Sequence, residues 1–278
     1  MQWKALETQV IAALRNTCDT REINNVFRYL VQEFTGKSAL QAMVFDLEEQ
    51  VAQEILGVVK KMQQGASMQV ALGYAYFGEL KLNVSQQVLA PRPETEELVH
   101  LIAEDVKPND SLLDIGTGTG CIPLWLKQQF PNTHVHALDV SNDALAIAKQ
   151  NAVQNNLEVQ FHQADVLGLS ELPAQVNHLI SNPPYIPVKE KAQMSSVVLN
   201  NDPELALFVP DEDPLLFYRK IAELGLKSIL DGGFLWFELH ENYANETANL
   251  VENLGYKNVV IKKDMQEKLR MLKAKKKN

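Results

Sequence analysis

The stretch SLLDIGTGTGCI, residues 111–122, leads from an apolar run into three glycines spaced as GxGxG. The apolar run predicts a buried strand. The glycines let the backbone turn sharply from strand to helix and approach a ligand closely. Pro123 stands early in the following helix, where its missing N–H costs little. The stretch therefore predicts a strand, a tight turn and a helix at the start of an α/β sheet.

Strand patterns alternate with helix patterns downstream of this turn. The predicted strands are THVHALDV (133–140), EVQFHQAD (158–165), VNHLIS (176–181), GFLWFEL (233–239) and NVVIKK (258–263). Such alternation predicts a parallel, doubly wound sheet. The basic tail KLRMLKAKKKN, residues 268–278, is interpreted as a solvated end of the chain rather than as a nucleic-acid patch.

The residues upstream of this turn have helical spacing from Trp3 to about Gln64. Asp19 has the position of a helix cap, and Gly36 and Gly65 stand where helices would end. From residue 74 the period changes to two, which predicts a β-hairpin, and PRPE at 91–94 begins another helix. We therefore expect a helical domain for substrate recognition (1–72), a hairpin linker (73–90) and a catalytic domain (91–278).

The composition limits the kinds of function and cellular location that this chain could have. The chain has 278 residues, 46% of them hydrophobic and 22% charged, with a net charge of −9. An acidic chain is poorly suited to neutralising phosphates, so direct binding of nucleic acid is not expected. Cys18 and Cys121 form no CxxC pair, which predicts neither a disulfide framework nor a metal site. With no pattern for export or membrane insertion, we expect a soluble monomer in the reducing cytoplasm.

Acidic residues follow two of the predicted strands. Asp139 ends the second strand, about 20 residues beyond the glycines, where a carboxylate can accept both hydroxyls of a ribose. The third strand ends in Ala164, Asp165 and Val166, near the position expected for an adenine. We interpret Asp165 as a loop carboxylate or helix cap rather than a direct ligand contact.

The stretch SNPPYIP, residues 181–187, ends the fourth strand with two prolines. Because proline has no N–H and fixes φ, pairing must stop there. The Pro183 carbonyl and the side chains of Asn182 and Tyr185 are then held as hydrogen-bond acceptors beside an aromatic face. An isolated Asn-Pro pair is usually only a strand terminator. The other motifs of the chain must therefore decide whether SNPPY also has a binding function.

The order DIGTGTG, ALDVS, SNPPY resembles that of S-adenosylmethionine-dependent methyltransferases acting on amino or amide nitrogens. VLAPRPETEELV at 88–99, NDPELAL at 201–207 and the helix FYRKIAE narrow the resemblance to the release factor glutamine methyltransferases, the protein N5-glutamine methyltransferases. The resemblance implies a seven-stranded, Rossmann-like methyltransferase sheet, a helical domain and a β-hairpin linker. It also implies S-adenosylmethionine as cofactor and the Gly-Gly-Gln glutamine of peptide chain release factors as substrate.

The resemblance also implies roles for individual residues. Asn182, Pro183 and Tyr185 are the candidate catalytic residues, and together with Pro184 they would bind the substrate glutamine. The candidate residues for holding the cofactor are Gly116, Thr117, Gly118, Thr119, Gly120, Asp139, Val166 and Asn182.

This chain departs from the family pattern at three places. His178 stands where an aspartate is common, and we expect a structural role for it. FELHENY (237–243) and KKDMQEKLRM (262–271) replace the usual segments near the C-terminus. We expect these two segments to lie away from the methyl-transfer centre.

Three other functions remain open from the residues alone. An adenine-N6 nucleic-acid methyltransferase would present the same two N–H donors to NPPY, but it needs a basic cleft and a means of extracting a base. A non-catalytic cofactor-binding scaffold would bind S-adenosylmethionine without turnover. An NAD-linked dehydrogenase is disfavoured because GxGxG departs from the GxGxxG fingerprint.

Overall fold

The computed structural model describes residues 1–44 and 46–277. Phe45, in the expected helical domain, and Asn278, in the expected solvated tail, lie outside the described residues. Contacts between Cα atoms divide the chain into two compact units. The first comprises Met1–Gly73 and Ser195–Asn201, and the second comprises Tyr74–Met194 and Asp202–Asn278.

The first unit is built from helices with one apolar core. They are α1 (Trp3–Leu14), α2 (Thr20–Thr35), α3 (Ala39–Ala42), α4 (Glu49–Gln63) and α5 (Met68–Leu72). The predicted cap is confirmed, because Asp19 accepts a hydrogen bond from the Glu22 N–H at 2.8 Å. Gly36 ends α2 at φ 67°, a conformation that glycine adopts without strain. The helical pattern seen in the sequence is therefore confirmed.

All strands among the described residues lie in the second unit. In chain order the elements are β1 (Tyr74–Phe77), β2 (Leu80–Asn83), α6 (Pro93–Ala103), β3 (Ser111–Ile115), α7 (Cys121–Gln129), β4 (His134–Asp139), α8 (Asn142–Gln154), β5 (Gln160–Gln163), β6 (Val176–Ser181), β7 (Ile186–Pro187), α9 (Ser196–Asn201, counted with the first unit), α10 (Glu204–Leu207), β8 (Phe208–Val209), α11 (Leu216–Ser228), β9 (Ile229–Glu238), α12 (Ala244–Asn253), β10 (Lys257–Lys263) and β11 (Leu269–Lys275). Strands β1 and β2 form the predicted antiparallel hairpin.

The central sheet of the second unit has seven strands in the order β10-β11-β9-β6-β3-β4-β5. Strands β9, β6, β3, β4 and β5 run parallel to one another, whereas β11 is antiparallel to both of its neighbours. The α/β, Rossmann-like methyltransferase fold expected from the sequence is confirmed.

The interpretation of the basic tail as a solvated end is wrong. Residues 269–275 form β11, which lies between β9 and β10. The sheet buries the side chains of Met271, Leu272 and Ala274. The free energy gained by burying them outweighs the cost of ordering the charged residues between them. Lys273 keeps its ammonium group satisfied by pairing with Asp105.

The register of the sheet brings the predicted motifs together. Ile115 of β3 pairs with Leu138 of β4 on one side and with Ser181 of β6 on the other. The turn after β3, Asp139 and Asn182 therefore emerge side by side at the carboxyl ends of parallel strands, where open α/β sheets bind ligands. Across residues 1–44 and 46–277, no helix combines the length and apolar character that crossing a membrane requires.

Candidate active site

A cavity of about 230 Å³ lies at the carboxyl ends of the parallel strands. Apolar side chains, among them Phe217 and Ile221, form much of its wall. The predicted site residues that line it are Gly116, Gly118, Asp139, Val166, Asn182, Pro183 and Pro184. The cavity therefore brings together residues from the ends of four strands, β3, β4, β5 and β6, that are far apart in the sequence.

The glycine turn explains why side chains are excluded beside this cavity. Gly116, Gly118 and Gly120 have φ values of 77°, 53° and 80°, which strain residues with a side chain. A Cβ on Gly118, which lines the cavity, would meet no atom within 4 Å, whereas one on Gly120 would lie 3.2 Å from the Ala148 Cβ. Gly118 thus leaves room for a ligand, and Gly120 allows close helix packing.

Asp139 ties the glycine turn to the end of β4. Its Oδ2 accepts a hydrogen bond from the Gly118 N–H at 2.9 Å, and its Oδ1 accepts one from the Ser141 N–H at 2.9 Å. A carboxylate has about four acceptor positions, so two remain for a ligand. Asp139 can therefore hold the turn and bind ligand hydroxyls at the same time.

Three buried polar side chains beside the turn lack protein partners. Both carboxyl oxygens of Asp114 and the hydroxyls of Thr117 and Thr119 make no hydrogen bond. Burial raises the pKa of Asp114 to about 7; the neighbouring Thr117 hydroxyl acts against this rise, and the nearby charge of Asp139 acts with it. Unpaired buried groups are costly, so these atoms mark a place where a polar or cationic ligand group would be stabilising.

The remaining predicted cofactor residues have different positions. Thr117, Thr119 and Gly120 do not line the cavity, and their contact with a cofactor stays a prediction. Asp165 caps a 3₁₀ helix, Val166–Gly168, by accepting from the Leu167 N–H at 2.9 Å. The predicted cap is confirmed, whereas the absence of a direct ligand contact stays a prediction because Asp165 also lines the cavity.

The NPPY segment is held by a chain of side-chain hydrogen bonds. Asn182 Nδ2 donates to Thr95 Oγ1 at 3.3 Å, and Thr95 Oγ1 donates to Glu238 Oε2 at 2.6 Å. The Tyr185 hydroxyl donates to Glu238 Oε1 at 3.2 Å. The expectation that FELHENY lies away from this centre is therefore wrong for Glu238.

Tyr185 does not line the first cavity but lines a second one of about 260 Å³. Its ring makes an edge contact with His240, at 5.7 Å between centroids. Burial raises the pKa of Tyr185, and the Glu238 carboxylate adds to the effect. The hydroxyl therefore stays protonated and serves as a hydrogen-bond donor rather than as a base.

His178 has the structural role expected from the sequence. Its Nδ1 accepts from Trp236 Nε1 at 3.2 Å, which leaves Nε2 as the donor to Asp110 Oδ2 at 3.1 Å. Burial lowers the pKa of His178, so the neutral ring is favoured. Both ring nitrogens are occupied within the sheet, so neither is available to a ligand.

Sequence reasoning missed Asp114, Thr95 and Glu238 as parts of the site. Asp114 precedes the glycines in DIGTGTG, and that position was its available signal. Thr95 and Glu238 stand 143 positions apart, and no local pattern joins them. Among the described residues, no group of three or more His, Cys, Asp or Glu side chains has a metal-binding arrangement.

The residues present fit S-adenosylmethionine. The open Cα side of Gly118 admits a ligand close to the backbone, and Asp139 retains acceptors for ribose hydroxyls. Asp114 is a buried carboxyl directly before Ile115, which lines the cavity, so its negative charge would suit a cationic cofactor. Val166 and the other apolar wall residues suit a flat adenine ring.

Comparisons with known proteins agree with this geometry. The family model "Methyltransferase small domain" matches residues 93–201. The release factor glutamine methyltransferase of Flavobacterium psychrophilum is 37% identical, over 98% of this chain and 98% of its own length. The enzyme of the same name from Bacteroides thetaiotaomicron is 41% identical, over 80% of each chain. The one from Lactococcus lactis subsp. lactis is 36% identical, over 92% of this chain and 94% of its own.

A solved structure supports the fold. The crystal structure of a methyltransferase from Pyrococcus furiosus aligns with a TM-score of 0.55 at 19% sequence identity. The alignment covers 79% of this chain and 100% of that chain. At this identity the likeness concerns the fold alone.

Proposed function

Because the chain belongs to the release factor glutamine methyltransferase family, we propose that it transfers a methyl group from S-adenosylmethionine to the side-chain amide nitrogen of a glutamine. The target glutamine is that of the Gly-Gly-Gln motif in peptide chain release factors, and the product is N5-methylglutamine. The observation that carries the proposal is the position of Asn182 and Pro183 on the wall of the same cavity as Gly118 and Asp139.

An amide nitrogen is a poor nucleophile because its lone pair is delocalised into the carbonyl. Asn182 Oδ1 and the Pro183 carbonyl would accept its two N–H bonds, favour a more pyramidal nitrogen and aim the lone pair at the methyl group. S-adenosylmethionine supplies a methyl group activated by a positively charged sulfur. The main task of the protein is then orientation, which can contribute several kcal/mol to a rate.

Other residues of the site have supporting roles in this proposal. Asp139 accepts the ribose hydroxyls, and the glycine turn admits the cofactor close to the backbone. Tyr185 does not line the cavity that contains Asn182, so its role in this proposal is to hold Glu238 through its hydroxyl. Each of these roles follows from a position at or next to the NPPY segment and the cavity.

The helical unit would recognise the release factor away from the glutamine. Its core uses most of its apolar side chains, whereas Leu40 and Val44 are exposed, and the sequence of residues 1–72 has no catalytic motif. The net charge of −9 favours a protein partner over a nucleic acid.

The test is methylation of a purified release factor with labelled S-adenosylmethionine, followed by mass spectrometry of the labelled peptide. We expect one methyl group on the glutamine of the Gly-Gly-Gln motif. The control is a release factor with glutamate at that position, which offers no N–H donor at neutral pH. Equal labelling of both factors, or labelling at another residue only, would contradict the proposal.

A further inference from the structure

Thr95 and Glu238 belong to rigid elements on either side of the NPPY segment. Thr95 lies in the first turn of α6, and Glu238 is the last residue of β9. Both are buried, with exposed fractions of 3% and 2%. Their side chains therefore have little freedom to change partners.

The hydrogen bonds from Asn182 to Glu238 have a fixed direction. An ionised carboxylate only accepts, so the single hydroxyl proton of Thr95 is used in the bond to Glu238 Oε2. Thr95 Oγ1 can then only accept from Asn182, and the Asn182 atom that faces it must be the NH₂ group. This assignment follows from counting donors around the ionised Glu238 carboxylate.

The charge on Glu238 is supported from two sides. Burial raises the pKa of Glu238 and the charge of Glu94 adds to this, whereas the hydrogen bonds from the Thr95 and Tyr185 hydroxyls and the positive charge of Arg270 act in the opposite sense. Two hydroxyl donors on a buried carboxylate are the arrangement that favours its ionised form.

We propose that Thr95 and Glu238 are positioning residues that hold the Asn182 amide with its oxygen, rather than its NH₂ group, available to the substrate glutamine. The inference rests on the proposed function and adds two residues to it. If the Asn182 side-chain amide were flipped, its NH₂ group would face the NH₂ group of the substrate glutamine. The glutamine would then lose one of its two hydrogen-bond acceptors. The hydrogen-bond chain thus selects an amide and discriminates against a carboxylate.

Thr95→Val and Thr95→Ser form a matched pair that tests this inference. Valine keeps the shape and removes the hydroxyl, whereas serine keeps the hydroxyl. We expect single-turnover methylation by Thr95→Val to be roughly 10- to 100-fold slower than that of Thr95→Ser. The affinity for S-adenosylmethionine, measured by calorimetry, should agree within about twofold between the pair, because Thr95 does not line the cavity.

Comparing Thr95→Val with Thr95→Ser also measures selectivity between glutamine and glutamate, which a purely structural role of Thr95 would leave unchanged. Without the Thr95 hydroxyl, either end of the Asn182 amide can face the substrate. Competition by a release factor with glutamate in place of the target glutamine should therefore become stronger, relative to the unmodified factor, in Thr95→Val but not in Thr95→Ser.

A double-mutant cycle tests whether Glu238 acts through Thr95. In the Glu238→Leu background, Thr95→Val should slow methylation by less than about threefold, because the direction of the chain is already lost. The inference is overturned if Thr95→Val and Thr95→Ser turn over within about twofold of each other. Absence of glutamine methylation by the unmodified enzyme would instead contradict the proposed function.

Discussion

Asp139 Oδ2 accepts a hydrogen bond from the Gly118 N–H at 2.9 Å, so the carboxylate at the end of β4 holds the glycine turn that follows β3. Its Oδ1 is also engaged, by the Ser141 N–H. One side chain therefore links three backbone segments around the cavity and still retains acceptors for a ligand. This relationship makes Asp139 the most direct target for testing cofactor binding.

We predict that Asp139→Ala weakens binding of S-adenosylmethionine by roughly 1.5–3 kcal/mol, because hydrogen bonds from ribose hydroxyls to a charged group are lost. Calorimetry measures the effect. The control is Glu158→Ala, which removes an exposed acid that does not line the cavity. Equal affinities of Asp139→Ala and Glu158→Ala for S-adenosylmethionine would show that Asp139 does not bind the ribose.

Asp114 should make the stability of the cofactor-free protein depend on pH. Its folded-state pKa is about 7, above the ordinary value of 3.8, so the folded protein holds an extra proton between these values. Stability therefore falls as pH rises through this window. From pH 5 to pH 8 the wild type should lose about 2–3 kcal/mol relative to Asp114→Asn, as measured by urea unfolding.

Comparing the two proteins at each pH cancels the other titrating groups. An identical pH dependence in wild type and Asp114→Asn would mean that Asp114 is already ionised in the folded protein. The Asp114 carboxylate would then have to be stabilised by a hydrogen-bond or ionic partner in the folded protein.

Asn182→Leu should slow methyl transfer while leaving cofactor affinity nearly intact. Loss of one acceptor leaves a glutamine N–H unpaired, which costs about 1–3 kcal/mol, or roughly 5- to 150-fold in rate. Single-turnover methylation and S-adenosylmethionine binding should be measured on the same preparations. Near-wild-type turnover would mean that NPPY only terminates β6.

Asn201→Ala should loosen the helical unit without changing the cofactor site. The Asn201 side chain accepts from the Ser67 N–H at 2.9 Å and donates to the Gly65 carbonyl at 2.7 Å. Its loss should cost about 1–3 kcal/mol of stability in that unit. If this unit recognises the release factor, the KM for that factor should rise while S-adenosylmethionine affinity stays constant.

The control for this variant is Thr8→Ala, which removes an exposed hydroxyl bonded to the Lys4 carbonyl in α1 of the same unit. A KM for Asn201→Ala equal to that of Thr8→Ala, despite a measured loss of stability, would argue against the recognition role.

The local patterns of the sequence determined most of the fold. Helical spacing, the Asp19 cap and the glycine turn specify elements through interactions within a few residues, and such signals are readable without a structure. The end of β6 was equally clear, since Pro183 and Pro184 cannot donate to a sheet. The order of these motifs also identified which segments meet at the carboxyl ends of the strands.

Only the tertiary structure decided which side chains support the site. The contact between Thr95 and Glu238 spans 143 residues, and the one between Asn182 and Thr95 spans 87. The basic tail became β11 because the sheet offered an unpaired edge and a buried face for Met271, which outweighed its charges. Local sequence fixes backbone shape, whereas the partners of buried polar atoms depend on which distant segments the sheet places beside them.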